Sequence, residues 1–288
     1  MRLLACTVTR RASDVCRPSV EFVLKTCPEC EFVIVNNGAD PRDYTPERFN
    51  KAPRLSTLQI PVNVGHPGGI NFGLQVALVL GYEFFLLLDD DITFISTDWY
   101  QKCLQIMALD PQIGCIGAKI LNPDQRTVQW GYTRMTPQGW DFNMGQPRDK
   151  DIVNRVLRGC MVQCCFLFCR TEAIRKVGPF DLLFSPTQYE DADYSFRMWL
   201  AGYSCVYDGR IEIVHHFSVY QGNDDPMRRL HSAAHAHALD LKYNGVLRFG
   251  LELEQQIDRI GREIVLPQTA PAPGPPPQPA TMPGPRKV

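Results

Sequence analysis

The fold is decided around the stretch FFLLLDDD at residues 84–91, where an apolar run leads directly into three aspartates. A short, fully apolar run predicts a strand that is buried on both faces, as in a parallel sheet covered by helices. In such sheets, ligands bind beside the polar residues that directly follow the strands. The stretch therefore predicts an α/β fold and places Asp89, Asp90 and Asp91 at its functional edge.

Toward the N-terminus, strand-like and helix-like segments alternate. Strands are expected at residues 3–8, 31–35 and 55–60, with a helix at residues 17–26. The glycine-punctuated residues 63–73 are expected to form a loop that leads into an apolar helix ending near Gly81. This alternation predicts a mainly parallel sheet flanked by helices.

Toward the C-terminus the pattern is less regular. Residues 123–158 combine glycine, proline and tryptophan with little periodicity, which is typical of a long irregular insertion that covers a substrate. A strand is expected at residues 161–168 and helices at residues 191–201, 226–244 and 246–264. From residue 267 onward the chain is rich in proline and cannot build a core, which predicts a disordered or extended tail.

Composition gives no reason to expect binding to nucleic acid or to an anionic membrane. The net charge is −1 and the pI is near 6.6, so there is no long-range attraction to polyanions. The first residues, MRLLACTVTRR, lack the apolar region of a secretory signal, and the longest apolar stretch, residues 76–88, is too short to span a bilayer. We expect a cytoplasmic protein without a transmembrane segment, and contact with a membrane surface stays open.

The eleven cysteines predict reduced thiols rather than disulfides. Their number is odd, and several lie in the strand-like run around residues 160–169. Cys27 and Cys30 form a CxxC pair, which suits half a zinc site or a redox pair, but no second CxxC and no adjacent histidine accompany it. Ordinary thiols are the favoured interpretation.

The three aspartates indicate a cation site. Adjacent carboxylates at the end of a buried strand repel one another unless a cation compensates their charge. Oxygen ligands suit Mg²⁺ or Mn²⁺, and such an ion could bridge the two phosphates of a nucleotide. From the residues alone, a solvated acidic turn or an acidic helix start fits equally well.

Six motifs, in order, make this sequence resemble the inverting glycosyltransferases of family 2, which have the GT-A fold. The resemblance spans residues 3–216. The motifs are TVTR at 7–10, VNNGAD at 35–40, NVGHPGGINFG at 63–73, LLLDDD at 86–91, KVGPFD at 176–181 and YEDADYSFRMWLAGY at 189–203. The resemblance implies a GT-A-type sheet and metal-dependent transfer of a sugar from a nucleotide diphosphate donor to an acceptor hydroxyl.

The resemblance assigns the nucleoside part of the donor to the ends of the first two strands. Thr7, Arg10, Asn36 and Asn37 match the positions that hold the nucleobase and the ribose. The family usually has aspartate at the position of Asn36. Because an amide both donates and accepts hydrogen bonds, this difference leaves the preferred base open.

The resemblance makes residues 63–73 the donor-binding loop, represented by Asn63, Gly68, Gly69 and Asn71. Glycines let a backbone approach a ligand closely, and a helix N-terminus favours phosphate. The alternative is a loop that only turns tightly.

By the same resemblance, Asp89 and Asp91 are the DxD carboxylates that hold Mn²⁺ or Mg²⁺, and Asp90 contacts the ribose or orients the other two carboxylates. A histidine after the last strand is the expected third metal ligand. The motif spacing favours His215, and His216 remains the alternative.

Glu190 and Asp191 match the motif that supplies the catalytic base. Asp191 is expected to take the proton of the acceptor hydroxyl, with Glu190 beside it to position the acceptor. An acidic helix N-terminus, stabilised by the helix dipole, is compatible with the same role. Asp193 and Arg197, four residues apart, are expected to form a structural ion pair on that helix.

Three further histidines lie on the first C-terminal helix, and His231 and His235 share a face at i and i+4. His237 points elsewhere, so a third zinc ligand is missing. We expect a solvated or donor-contacting face there rather than a zinc site.

The sequence therefore predicts a GT-A catalytic domain at residues 1–221, a helical appendage at 222–265 and a disordered proline-rich tail at 266–288. Two alternatives remain: a sugar-1-phosphate nucleotidyltransferase, whose glycine-rich loop is missing after the first strand, and a catalytically silent nucleotide-sugar-binding protein. The acceptor stays open among a glycan, a lipid-linked sugar, a protein and a modified nucleic acid. The oligomeric state is also open.

Overall fold

The computed structural model describes residues 1–216 and 226–267. Its main element is a ten-stranded sheet, and a separate two-stranded hairpin lies beside it. The strands are β1 (Leu3–Thr9), β2 (Cys30–Asn37), β3 (Leu55–Ile60), β4 (Phe84–Leu88), β5 (Ile92–Phe94), β6 (Ile113–Leu121), β7 (Val128–Trp130), β8 (Arg134–Thr136), β9 (Gly139–Asp141), β10 (Val156–Gly159), β11 (Phe166–Arg170) and β12 (Ser204–His215). Strands β8 and β9 form the hairpin.

Seven α-helices flank the sheet in the described part of the chain. They are α1 (Ser13–Thr26), α2 (Gly65–Val79), α3 (Trp99–Leu109), α4 (Thr171–Val177), α5 (Glu190–Leu200), α6 (Pro226–Lys242) and α7 (Val246–Ile260). Short 3-10 turns add Pro41–Tyr44, Pro46–Phe49, Asp151–Asn154 and Leu182–Phe184.

The sheet is mainly parallel, as the sequence predicts. Its order is β10-β12-β6-β11-β4-β1-β2-β3, with β5 paired to β12 and β7 paired to β6. The pairings give β1, β2, β3, β4, β6 and β12 one direction and β5, β7, β10 and β11 the opposite one. The carboxyl ends of β1, β2, β4 and β12 therefore lie along one edge.

Both faces of the sheet are buried. Along β1, the side chains of Leu3 and Ala5 enter one apolar cluster, whereas those of Leu4, Cys6 and Val8 enter the other. Successive side chains of a strand point to opposite faces, so this division follows directly from the strand geometry. It explains why the first and fourth strands are apolar without alternation.

The glycine-rich segment is helical, which corrects the expected loop at residues 63–73. Helix α2 begins at Gly65, and its glycines lie directly against β1. A Cβ atom on Gly69 would overlap a methyl group of Val8, and one on Gly73 would overlap the sulfur of Cys6. Close packing of helix on strand therefore outweighs the poor helix propensity of glycine.

Other boundaries differ because tertiary pairing decides them. Residues 123–158, expected to be irregular, contain β7 to β10 and a 3-10 turn. The strand expected at residues 161–168 is instead β11, which begins at Phe166 because pairing with β4 begins there, opposite Leu88. Helix α1 begins earlier than expected, and α7 ends at Ile260, before Gly261 at a φ of 92°.

The C-terminal helices pack on the main domain. Helix α7 lies against β8, where Met135 N donates to Glu254 Oε1 at 2.9 Å. Within the described residues, no helix is long and apolar enough to cross a membrane. The expected domain boundary at residues 221 and 222, and the tail from residue 268, lie outside the described residues.

All eleven cysteines lie in the described part of the chain, and all are buried and free. The prediction of thiols rather than disulfides is thus confirmed. Burial raises the pKa of most of them, for example Cys16 to about 12, which disfavours the reactive thiolate form in these residues.

Candidate metal and base site

The predicted metal ligands meet at the carboxyl end of β4. Asp89 and Asp91 directly follow that strand, and His215 ends β12, where it lies opposite Ile92 of β5. His215 Nε2 lies 3.4 Å from Asp89 Oδ2 and 3.2 Å from Asp91 Oδ1. One ligand atom from each residue lies within 4.8 Å of the others, so the three side chains form a candidate metal site.

A second contact orients His215 for ligation. Its Nδ1 donates to Gln129 Oε1 at 2.6 Å, which leaves the lone pair of Nε2 facing the two carboxylates. His216 contacts Thr93 instead, with 3.1 Å between Nε2 and Oγ1. The structure therefore selects His215 over His216, and Gln129 is a residue that the sequence analysis missed.

The donor set fits a divalent cation. The imidazole lies within 3.4 Å of both carboxylates, and the three ligand atoms lie within 4.8 Å of one another. This spacing is close to that of neighbouring ligands on one ion with bonds of roughly 2.1 Å. Imidazole is a ligand of transition metals rather than of Mg²⁺, which prefers oxygen. Of the two expected ions, Mn²⁺ suits this set better.

An arginine that sequence reasoning did not single out pairs with two of the three aspartates. Arg11 pairs with Asp90 and contacts Asp91 at 3.1 Å, whereas the expected Arg10 is exposed. Thr9 Oγ1 also donates to Asp90 at 2.7 Å. Burial raises the pKa of Asp90, and the hydrogen bonds from Arg11 and Thr9 only partly offset it.

A histidine joins the metal ligands to the base motif. His66 Nδ1 donates to Glu190 Oε1 at 2.9 Å, and His66 Nε2 lies 3.5 Å from Asp89 Oδ1. Burial alone lowers the pKa of His66, but hydrogen bonds to these two carboxylates and their charges raise it to about 10. His66 lies in a quoted motif, yet nothing in the sequence pairs it with residues so distant along the chain.

Glu190 is buried, with one carboxylate oxygen in use and one without a partner. Its Oε1 accepts from His66 and from Thr187 Oγ1 at 3.0 Å, whereas Oε2 is buried with no hydrogen-bond partner among residues 1–216 and 226–267. Buried carboxylate oxygens are nearly always hydrogen-bonded. A hydroxyl group of a bound substrate would satisfy this one.

The predicted base, Asp191, lies in an environment that disfavours its charged form. Burial, followed by the charge of neighbouring Glu190, raises the pKa of Asp191 to about 7. A base is most effective when its pKa is near the working pH. Asp193, two residues on, pairs with Arg197 at 2.8 Å, which confirms the predicted structural ion pair.

Of the residues expected to hold the nucleoside, Asn36 and Asn37 are engaged within the protein. Asn36 contacts Ala39 and Gln59 with both ends of its amide. Thr7 is fully buried, and its hydroxyl has no partner in the described part of the chain. Their contact with a donor stays a prediction.

The expected phosphate site at the start of α2 is already capped. Asn37 Oδ1 accepts from Val64 N, Asn63 Oδ1 accepts from Gly65 N, and Pro186 O accepts from His66 N. The next residue is proline and has no amide hydrogen. In this conformation the helix N-terminus therefore offers little to a phosphate.

The other loop residues have structural contacts. Gly68 lies against Val64, and Asn71 bonds both the amide and the carbonyl of Phe180. A role for Gly68, Gly69 and Asn71 in donor binding stays a prediction.

A cavity of about 410 Å³ is lined in part by Tyr44 and Gln59. Tyr44 OH contacts Thr9 and donates to the carbonyl of Arg11. Tyr44 therefore lines this cavity and also contacts two residues that pair with Asp90.

His235 is buried, which corrects the expectation of a solvated face for this residue, whereas the alternative of a contact with the donor stays a prediction. Its ring stacks on His231 with centroids 6.1 Å apart, and its Nδ1 contacts the carbonyls of Thr187 and Gln188. No metal cluster includes these histidines within the described residues.

Comparisons with known proteins identify the fold. No protein-family model matches this chain. The uncharacterized protein y4gI of Sinorhizobium fredii (strain NBRC 101917 / NGR234) is 25% identical over 233 residues, which cover 75% of this chain. The match spans only 24% of that relative, so the likeness concerns one part of a larger protein.

Solved structures share the fold at low identity. GalNAc-T7, solved with UDP, GalNAc and Mn²⁺, has a TM-score of 0.60 at 14% identity over 75% of this chain and 44% of its own. The mannosyltransferase PcManGT from Pyrobaculum calidifontis, in complex with GDP-Man and Mn²⁺, has a TM-score of 0.58 at 15% identity over 83% and 64%. S. aureus TarS 1-349 has a TM-score of 0.53 at 14% identity over 75% and 60%. These likenesses confirm the predicted GT-A-type α/β fold.

Proposed function

We propose that this chain is a metal-dependent, inverting glycosyltransferase of the family 2 type. It moves a sugar from a nucleotide diphosphate donor to a hydroxyl group of an acceptor. Asp89, Asp91 and His215 hold the cation, and Asp191 is the base.

The observation that carries the proposal is the imidazole ring of His66, which connects the candidate metal site to the candidate base motif. His66 contacts both Asp89 of the metal cluster and Glu190 of the base motif. The metal ligands follow β4 and β12, and the base motif begins α5, so only the folded chain brings them together. A cation site next to a carboxylate with a raised pKa is the arrangement that sugar transfer requires.

The proposed transfer accounts for each bond that forms or breaks and for the proton that moves. The acceptor oxygen forms a bond to the anomeric carbon on the face opposite the leaving group. The bond from that carbon to the phosphate oxygen breaks, and its electron pair leaves with the nucleotide diphosphate. The acceptor proton passes to Asp191, and Glu190 Oε2 is placed to accept a hydrogen bond from a substrate hydroxyl.

A divalent cation, when bound, supplies positive charge that stabilises the departing diphosphate. The donor set favours Mn²⁺ over Mg²⁺, and two structural neighbours were solved with Mn²⁺ and a nucleotide or nucleotide sugar. Arg11 and Asp90 lie beside the cluster and are proposed to contact the ribose and phosphates of the donor. Thr7, Arg10, Asn36, Asn37 and the α2 residues named above are proposed to shape the same donor site.

The test is a panel of nucleotide sugars with Mn²⁺, Mg²⁺ or a chelator, in which mass spectrometry detects free nucleotide diphosphate. We expect one donor to release nucleotide diphosphate. Release should be faster when a hydroxyl acceptor is added, and it should stop when the chelator is added. The anomeric configuration of the product, read by NMR, tests inversion.

Other outcomes identify the alternatives. Donor binding without release of nucleotide diphosphate would indicate a silent binding protein. Formation of pyrophosphate from a nucleoside triphosphate and a sugar-1-phosphate would indicate a nucleotidyltransferase.

A further inference from the structure

The turn that precedes the base motif has a backbone that needs outside support. Gln188 and Tyr189 both lie in the left-handed region, with φ of 87° and 71°. Neither is glycine, so each carries a steric cost that persists only where the surroundings impose it. Tyr189 is also the N-cap of α5, and its side chain makes no capping hydrogen bond to that helix.

Helix α6 supplies this support through one side chain. His235 Nδ1 lies 3.0 Å from the carbonyl oxygen of Thr187 and 3.2 Å from that of Gln188. A carbonyl oxygen can only accept, so Nδ1 carries the hydrogen and donates to both. One ring therefore holds two successive peptide units of the turn.

The ring of His235 is itself fixed in place. Its side chain is 7% exposed, its edge meets the ring of Phe184 at a centroid distance of 5.8 Å, and His231 stacks on it nearly parallel. A donor fixed on two sides can impose a strained backbone because it cannot follow the turn if the turn relaxes.

The same turn also contacts α2. His66 N donates to Pro186 O at 2.7 Å, and the His66 ring contacts Glu190. The turn at residues 186–189 is therefore held by two helices, and Glu190 and Asp191 follow it.

We propose that His235 is a positioning residue for Asp191. It holds the turn at residues 186–189 in its left-handed conformation and so fixes the direction in which the base faces. Helix α6, which the sequence assigns to an appendage, is then part of the catalytic apparatus. The assignment of Asp191 as the base rests on the proposed function, whereas the support of the turn does not.

Two substitutions separate the hydrogen bond from packing. His235→Phe keeps a ring against Phe184 but has no donor, whereas His235→Asn restores an N–H near the position of Nδ1. We expect His235→Phe to lower kcat roughly 100-fold with KM for the donor unchanged, because misplacement by about 1 Å costs that much. His235→Asn should recover at least about tenfold of this loss, and His237→Ala, on the exposed face of the same helix, should match the wild type.

Hydrogen exchange tests the support of the turn without any assay of transfer. In His235→Phe, the amides of His66 and Asp193, which donate to the carbonyls of Pro186 and Tyr189 in the turn, should exchange about ten times faster, while those of α3 keep their wild-type rates. Unchanged exchange of these two amides would overturn the proposal, as would wild-type kcat in His235→Phe. If the wild type transfers no sugar but the exchange result holds, the proposed function fails and the support of the turn stands.

Discussion

The imidazole of His66 lies 2.9 Å from the carboxylate of Glu190, which joins the first turn of α2 to the first residue of α5. Because the other ring nitrogen reaches Asp89, these two residues link the candidate metal site to the candidate base. The stability of this link, the binding of a cation and the transfer of a proton can each be measured separately.

We expect His66→Ala to lower the free energy of unfolding by about 1–3 kcal/mol, since it removes one of the two donors to the buried Glu190 carboxylate. Urea unfolding measures this loss. In a double-mutant cycle with Glu190→Gln, the coupling should be about 0.5–3 kcal/mol. The exposed control His237→Ala should change stability by less than about 0.5 kcal/mol, and additive effects in the cycle would contradict the link.

Loss of one carboxylate should weaken the cation site. In the wild type, Mn²⁺ at about 100 times its Kd should add roughly 2.7 kcal/mol to stability, because the ion binds only the folded chain. Asp91→Asn should lose most of this gain, as measured by thermal unfolding and by titration calorimetry. Asp98→Asn, which removes an exposed carboxylate that pairs with Lys102, is the matched control. Equal Mn²⁺ affinity in both variants would argue against the site.

The hydrogen bond from His215 to Gln129 should also affect the affinity for Mn²⁺. Gln129→Leu removes the acceptor for Nδ1, so the ring loses its fixed orientation. We expect Mn²⁺ affinity to fall about 10–100-fold, the usual effect of such outer contacts. Gln138→Leu, at an exposed position of the β8–β9 hairpin, should leave the affinity unchanged. Wild-type affinity in Gln129→Leu would mean that the hydrogen bond does not orient the ligand.

Asp191→Asn should keep donor binding and lose transfer. The amide has the shape of the carboxylate but cannot accept the acceptor proton, so kcat should fall roughly 10²–10⁴-fold. Calorimetry with the donor and a transfer assay measure the two effects separately. Asp151→Asn, at an exposed ion pair with Arg155, serves as control. Near-normal turnover in Asp191→Asn would assign the base elsewhere.

The rate should rise with pH through the titration of Asp191. Burial and the charge of Glu190 raise the pKa of Asp191 to about 7, and the base works only when ionised. The acidic limb of kcat/KM should therefore lie near or below pH 7, since a bound cation offsets the charge of Asp89. Glu190→Gln removes a charge that raises this pKa, so the limb should move to lower pH. A limb that does not move would show that Asp191 is not the titrating group.

The same shift has a consequence for stability. A carboxyl whose pKa is higher in the folded than in the unfolded state stabilises the fold at low pH, and this contribution is lost as pH rises through about 7. Asp191→Asn should therefore flatten the decline in unfolding free energy between about pH 4 and 7, measured by urea titration at each pH.

The strand at Phe84–Leu88 and the aspartates after it could be predicted because an apolar run and a local charge cluster need no tertiary information. The helix start at Gly65 could not, since it depends on how closely α2 approaches Val8 and Cys6. Likewise, the sequence alone does not show which of the adjacent Arg10 and Arg11 turns toward the aspartates. Only the direction of the chain after β1 brings Arg11 to Asp90.

The sequence by itself determined that a buried, mainly parallel sheet ends in acidic residues, because burial and charge are properties of short segments. Only the tertiary structure decided which distant side chains join them. His215 rather than His216 faces Asp91 because the pairing of β12 with β5 sets the register, and a shift of one residue would turn the other ring inward. His66 and His235 contact the predicted base motif and the turn before it because helices far apart along the chain pack against that turn, a relationship that no local pattern encodes.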